Sequence, residues 1–236
     1  MAPHASLWVT VGIPALALAV ALLALAAVRR AAPTRLLPFA AGLGAWALVW
    51  GALAGSGVLG QFDRRPPPFL FLLPSVLVAC VLLARSRLGA ALARLPLWTL
   101  VAVQAFRLPL ELLLARAASD GVAPPEMTLH GYNFDILTGL SAIAVAWVVR
   151  RRPAPLLVGA FSALGLTLLT VVLVIAVAGT PMLHAFGGGA HLDTWVAWFP
   201  FVYLPTVLVP MALVTHLVTL RALALQPGGL PAPRHA

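Results

Sequence analysis

Seven apolar runs, each close to the ~20 residues a helix needs to cross a bilayer's hydrocarbon core, dominate this chain. They fall at about 7–28, 37–59, 69–85, 96–117, 131–149, 155–179 and 195–218. No water reaches a backbone N–H or C=O inside hydrocarbon, so a spanning segment must satisfy its own backbone, and a helix does this alone. The expectation is an all-α integral membrane bundle of seven transmembrane helices forming one domain over residues 1–226. A disordered cytoplasmic tail, rich in Pro and Gly, is expected over 227–236.

Composition agrees. Of the 236 residues, 62% are hydrophobic and 9% charged, with a mean hydropathy of +1.02, whereas soluble domains carry about 25% charged residues. The basic balance is wholly arginine, because the chain has no lysine. In a soluble chain such a balance points to nucleic acid. Here the arginines cluster between apolar runs, which is the pattern of topology signals and excludes nucleic acid as the partner. The lone cysteine, Cys80, lies inside an apolar run and reads as a small buried hydrophobe.

Those clusters orient the chain. Arg29, Arg30 and Arg35 follow the first run, Arg85, Arg87 and Arg94 the third, and Arg150, Arg151 and Arg152 the fifth. Arg221 and Arg234 follow the seventh. The opposite side receives Asp63, Asp120, Glu126, Asp135 and Asp193, with Arg64, Arg65 and Arg116 among them. The positive-inside rule then places the N-terminus out and the C-terminus in. The first run is a retained helix: no positive charge precedes it, and it exceeds the about 7–15 residues of a signal-peptide core.

Within the fourth run, Arg107 and Glu111 stand one helical turn apart on one face. A charge at bilayer mid-depth costs roughly 3 kcal/mol on insertion scales. Gln104 shares that face, and Pro109 releases the carbonyl of Ala105 between the two charges. The fifth run supplies a counterpart. Counting about twenty residues back from Arg150 reaches Gly131, so the helix either starts within 130–135 or is thinner than the bilayer, and either way Asn133 and Asp135 are drawn into the outer leaflet. At about 1.5 Å per residue, Asp135 and Glu111 lie roughly 6 and 9 Å below the outer edge, within reach of Arg107. The cluster reads either as an ion pair that locks two spans together or as a ligand or proton site open to the outside.

The segment QAFRLPLELLLARAASDGVAPPEMTLHGYNFDILTGL resembles a recurring stretch in a family of uncharacterised bacterial multispan membrane proteins. The pattern is R-x-x-x-E, a short proline-ended loop, then M-T-x-x-G-x-N-F-D-I. Arg107, Glu111, Met127, Thr128, Gly131, Asn133, Phe134, Asp135 and Ile136 occupy it. The late run FPFVYLPTVLVPMALVTHLVTLRAL is similar to that family's last span. The resemblance implies a multipass protein of the bacterial inner membrane in which these positions belong together, and it names no activity.

Other polar features are weaker. Pro200, Pro205 and Pro210 interrupt the last run, which also carries His216; broken helices line many transport sites. His130 sits at the outer edge of the fifth run. His184, His191 and Asp193 offer imidazole and carboxylate to a zinc or iron ion, but without a recognised metal motif. Trp195, Trp198, Phe199, Phe201 and Tyr203 suggest an outer aromatic belt. Covalent retinal is excluded because its Schiff base needs a lysine. Three function classes remain: a small transporter-like or ligand-binding protein, an intramembrane enzyme using Glu111, Asp135 and His130, and a structural or sensory subunit with Arg107–Glu111 as an architectural ion pair.

Overall fold

The computed structural model describes residues 4–225; the tail expected over 227–236 lies outside them. Among the described residues there are helices and no strand. The helices are α1 (Leu7–Ala31), α2 (Leu36–Gly55), α3 (Leu72–Arg85), a short α4 (Arg87–Leu92), α5 (Leu97–Ala102), α6 (Arg107–Ser119), α7 (Ile136–Arg151), α8 (Pro155–Ala178) and α9 (Val209–Ala224). With their flanking 3-10 or π turns, six helices among the described residues are long and apolar enough to cross a membrane: Leu7–Ala31, Pro33–Gly55, Pro68–Arg85, Leu97–Ser119, Pro155–Ala178 and Leu204–Ala224.

Helix α9 occupies the centre, packed against α3, α4, α5 and α8, while α1 lies on α2 and α6. Among the described residues, the arginines that end α1, α3, α7 and α9 gather at one end of the bundle. Arg221 donates from Nη1 to the carbonyls of Ala84 and Ser86 at 2.7 and 2.9 Å, closing the C-terminal end of α3. Arg150 lies 5.1 Å over the Trp98 ring. At the other end the Ser6 N–H donates to Asp120 Oδ2 at 2.9 Å, and Arg116 pairs with the same carboxylate at 3.0 Å. That pins the start of α1 to the end of α6, and the bonds from Ser6, with help from Arg116, hold Asp120 below the ordinary carboxylate range.

Two spans are not full-length regular helices. The helix of the fifth run starts at Ile136 and has 16 residues, about 24 Å at 1.5 Å per residue. Of the two expected outcomes it is therefore the thinner helix, and the residues before it form a folded loop that bonds itself: Gly131 and Asn133 N–H both return to the Thr128 carbonyl, and Tyr132 N–H to that of Glu126. Irregular backbone at membrane depth is tolerated when protein buries it. In the seventh run the helix begins at Leu204, after a 3-10 turn at Trp195–Ala197. Prolines five residues apart cannot each join an i→i−4 ladder, and the chain between Pro205 and Pro210 widens to a π turn in which Val209 N–H bonds the Leu204 carbonyl. Pro210 leaves the Thr206 carbonyl without its ordinary partner, and Trp46 Nε1 on α2 donates to it at 2.9 Å.

The aromatic belt is also corrected. Trp195 and Phe201 are 1% and 2% exposed and pack together at 5.1 Å, within the core formed with Val9, Ile13, Leu114 and Leu169. The irregular turn around Pro200 folds these rings inward over the helix ends; of the five aromatics only Phe199 is largely exposed.

Candidate functional site

The 3-10 turn Val103–Phe106 leads directly into α6, so Pro109 stands in the first turn of α6, where a missing N–H is least felt. This places Gln104, Arg107 and Glu111 on the inward side, at 1%, 1% and 5% exposure. Asn133 and Asp135, from the folded loop, are equally buried.

The ion pair runs between spans rather than along one. Arg107 Nη1 donates to Asp135 Oδ1 in a close salt bridge, and its Nε donates to Gln104 Oε1 at 3.0 Å. Glu111 is held instead by a neutral amide: Asn133 Nδ2 donates to Oε1 and Oε2 at 3.0 and 3.1 Å, and also to the Met127 carbonyl at 3.0 Å. Asn133 Oδ1 in turn accepts from the Asp135 N–H at 2.9 Å, and Thr138 donates to Asp135 Oδ1 at 3.0 Å. Gln104 Nε2 completes the chain, donating to Thr215 Oγ1 at 2.6 Å and to the Ala212 carbonyl at 3.0 Å on α9. One hydrogen-bonded network thus joins α5–α6, the loop before α7, α7 itself and α9.

The spacing of the M-T-x-x-G-x-N-F-D-I stretch follows from this geometry. Met127 and Thr128 are buried, and the Thr128 hydroxyl closes the turn on the Pro125 carbonyl at 2.8 Å. At Gly131 a Cβ would stand 2.5 Å from the Pro125 carbonyl oxygen and 2.6 Å from Glu126 Cα, so only glycine fits against that backbone. The loop folded in this way delivers Asn133 to Glu111 and Asp135 to Arg107.

Five of the sequence candidates therefore converge: Gln104, Arg107, Glu111, Asn133 and Asp135. His130 does not join them; it is exposed in the loop. His184 is exposed as well, His191 Nδ1 pairs with Glu126 Oε1 at 2.7 Å, and Asp193 is 1% exposed. No group of three His, Cys, Asp or Glu among the described residues could hold a metal ion. Burial pushes the Asp193 carboxyl up to about 7, the Trp195 indole offsetting part of the rise. Thr138 and Thr215 went unrecognised in the sequence, although Thr138 stands one turn after Asp135 and Thr215 adjoins His216.

Residues 68–224 hold this whole network, and they match the family model described as Domain of unknown function (DUF8737). The chain belongs to that family. Helices α1 and α2 lie outside the match, so every polar partner of Arg107 and Glu111 falls within the family's own segment. No curated protein and no solved structure matches the chain.

Proposed function

We propose that this chain is a small transporter-like protein of the bacterial inner membrane that binds a proton at Glu111, in the outer half of the bilayer. It crosses the membrane seven times, N-terminus out and C-terminus in, with α7 as the short fifth span. The gathering of Arg85, Arg94, Arg150 and Arg221 at one end of the bundle supports that orientation. The depth missing from α7 is made up by the folded loop before it.

The observation that carries the reading is a count of charges. One guanidinium and two carboxylates share a network in which Gln104, Arg107, Glu111, Asn133 and Asp135 are each at most 5% exposed. Burying an unpaired charge is costly. Arg107 is committed to Asp135, and Glu111 meets only the Asn133 amide. The network is therefore neutral when Glu111 holds a proton, and releasing that proton leaves one negative charge that a cation or a returning proton must compensate. This is the charge logic of a coupled carrier site. Metal-assisted catalysis has no support in the arrangement, since His130 stands apart from both acids. A purely architectural role is the competing reading, favoured by the several bonds that Asn133 makes.

Liposomes loaded with a pH-sensitive dye and given a potassium diffusion potential test it. The wild-type protein should carry protons inward above the protein-free rate. Glu111→Gln, which keeps the bond to Asn133, should fold with unchanged thermal stability and lose that flux. Equal flux in both proteins, or none above empty vesicles in the wild type, overturns the reading in favour of the structural lock.

A further inference from the structure

Helix α1 packs closely on α6 but scarcely touches α5, the other half of the same span. The two spans therefore diverge towards the arginine end, and a groove of about 440 Å³ opens between them. Its walls come from α1, the turn before α5, α5 with the 3-10 turn after it, and α9. Ala26 and Ala27 on one wall and Ala102 and Ala105 on the other are too small to fill it. The lining is apolar except for Arg30, Thr99 and Thr215. Thr215, on the α9 wall, is the residue whose hydroxyl accepts from Gln104 of the buried network.

Arg30 gives the groove a charge. It is exposed, and the ion pairs among the described residues leave it without a carboxylate. Arg94 immediately precedes Leu95 of the lining, and Arg150 stacks 5.1 Å over the ring of Trp98, another lining residue. None of the chain's six acids lies in the segments that join the helices at this end. An apolar groove of this kind stays free of water, and left empty it would forfeit the contacts of both walls. We propose that it binds one anionic phospholipid, with an acyl chain between α1 and α5 and the phosphate on Arg30. Basic pockets between membrane helices recognise anionic headgroups in this way. From Leu23 to Arg30 the groove follows α1 for roughly 10 Å, within the about 15 Å that is half of the hydrocarbon core. The phosphate therefore stays at the interface while the chain is buried, and the chain shields Thr215 from the surrounding bilayer. A second crevice, of about 390 Å³, flanks α1 on its α2 side and meets the groove at Ala27, Leu100, Met211 and Thr215. No charged residue lines that crevice, so it selects no headgroup. The lipid site is independent of the proton on Glu111.

Native mass spectrometry of the full chain in detergent tests the site, with phosphatidylglycerol and phosphatidylcholine of identical acyl chains added together. The wild type should retain phosphatidylglycerol several-fold over phosphatidylcholine. Arg30→Gln should bring the two close to equality. Arg29→Gln removes the same charge one residue away, outside the lining, and should keep the preference; both arginines are exposed, so neither change disturbs the packing. Ala26→Phe, at an exposed position on the α1 wall, should lower retention of both lipids. Equal retention of the two lipids by the wild type overturns the proposal. So does a loss of preference in Arg29→Gln as large as in Arg30→Gln, which would assign it to diffuse surface charge. Undiminished retention in Ala26→Phe overturns it as well, because the lipid would then lie outside the groove.

Discussion

The spans Leu97–Ser119 and Pro33–Gly55 are of equal length and both apolar enough for lipid, yet 50% of the first is buried inside the bundle against 11% of the second. The first carries Gln104, Arg107 and Glu111, each bonded to another segment. The second carries no ionisable side chain past Arg35, and it presents Leu37, Leu48 and Val49 outward. Lipid tails are as apolar as leucine, so apolar surface alone gives a helix no reason to leave the bilayer for a neighbour. Polar side chains do, because in hydrocarbon their only partners are other protein groups. The difference between the two spans is therefore one of polar bonds, and it divides the molecule into a cross-linked centre and a loosely held flank.

The comparison breaks most visibly at Arg107. Arg107→Met leaves Asp135 and Glu111 buried without a cation, and removing one member of a buried pair costs about 3–5 kcal/mol. The variant is expected to lose most of its folded yield and its thermal transition in detergent. Adding Asp135→Asn should restore much of that loss, since the uncompensated charge goes with it. A single variant as stable as the wild type would mean that the network does not hold the centre together.

Asp193 offers a second test on the central side, through pH. Its carboxyl is raised from 3.8 to about 7 by burial, so between these values the folded state keeps a proton that the unfolded chain has released. Stability must then fall as pH rises through this window and level off above it. At about 1.4 kcal/mol per unit the loss approaches roughly 4 kcal/mol. Asp120 is shifted the other way, so its contribution is lost only in more acid solution, below the window. Asp193→Asn should flatten the decline between pH 4 and 7 in thermal melts; an unchanged slope would assign it to other groups.

How far the sequence reveals this centre depends on the residue type. Charges and amides stand out against lipid, so Gln104, Arg107, Glu111, Asn133 and Asp135 were all legible, as were the six long apolar helices. Their pairing was not. Helical periodicity says that Arg107 and Glu111 share a face, but which acid the guanidinium takes depends on how α6 and α7 rotate against each other. Hydroxyls were silent for another reason: Thr138 and Thr215 sit in apolar helices, where such groups commonly bond the carbonyl one turn back, as Thr215 does to Met211. Counting residues left two outcomes open at the fifth run, a helix begun within 130–135 or one thinner than the bilayer, and could not choose between them because nothing in a residue count shows that the segment 128–135 satisfies its backbone as a folded loop. Trp195 and Phe201 misled similarly, since composition cannot tell a ring at the headgroups from one folded over the helix ends.

Gly131→Ala probes that loop. Its Cβ would meet backbone atoms, which cannot swing aside as a side chain does, and overpacking of this kind costs about 1–3 kcal/mol. The expected outcome is a lower melting temperature together with faster hydrogen exchange at the Asp135 N–H, which bonds Asn133. If exchange there is unchanged, the loop tolerates the methyl group and does not position the acids.

The smallest effects belong to α2, and they sharpen the contrast within a single helix. Trp46 supplies the N–H that satisfies the Thr206 carbonyl freed by Pro210. Trp46→Phe keeps a ring and removes that donor; interhelical hydrogen bonds in membranes average about 0.6 kcal/mol and reach about 1.7 kcal/mol. Leu48, two residues along the helix, is 74% exposed, and Leu48→Ala exchanges one lipid-facing apolar surface for a smaller one, within about 0.5 kcal/mol of no change. Thermal melts of the two variants, in detergent and in nanodiscs, should therefore rank Trp46→Phe as the more damaging in both. Were Leu48→Ala the worse, α2 would be held by apolar packing against something outside the bundle, and its loose attachment would be a property of the isolated chain.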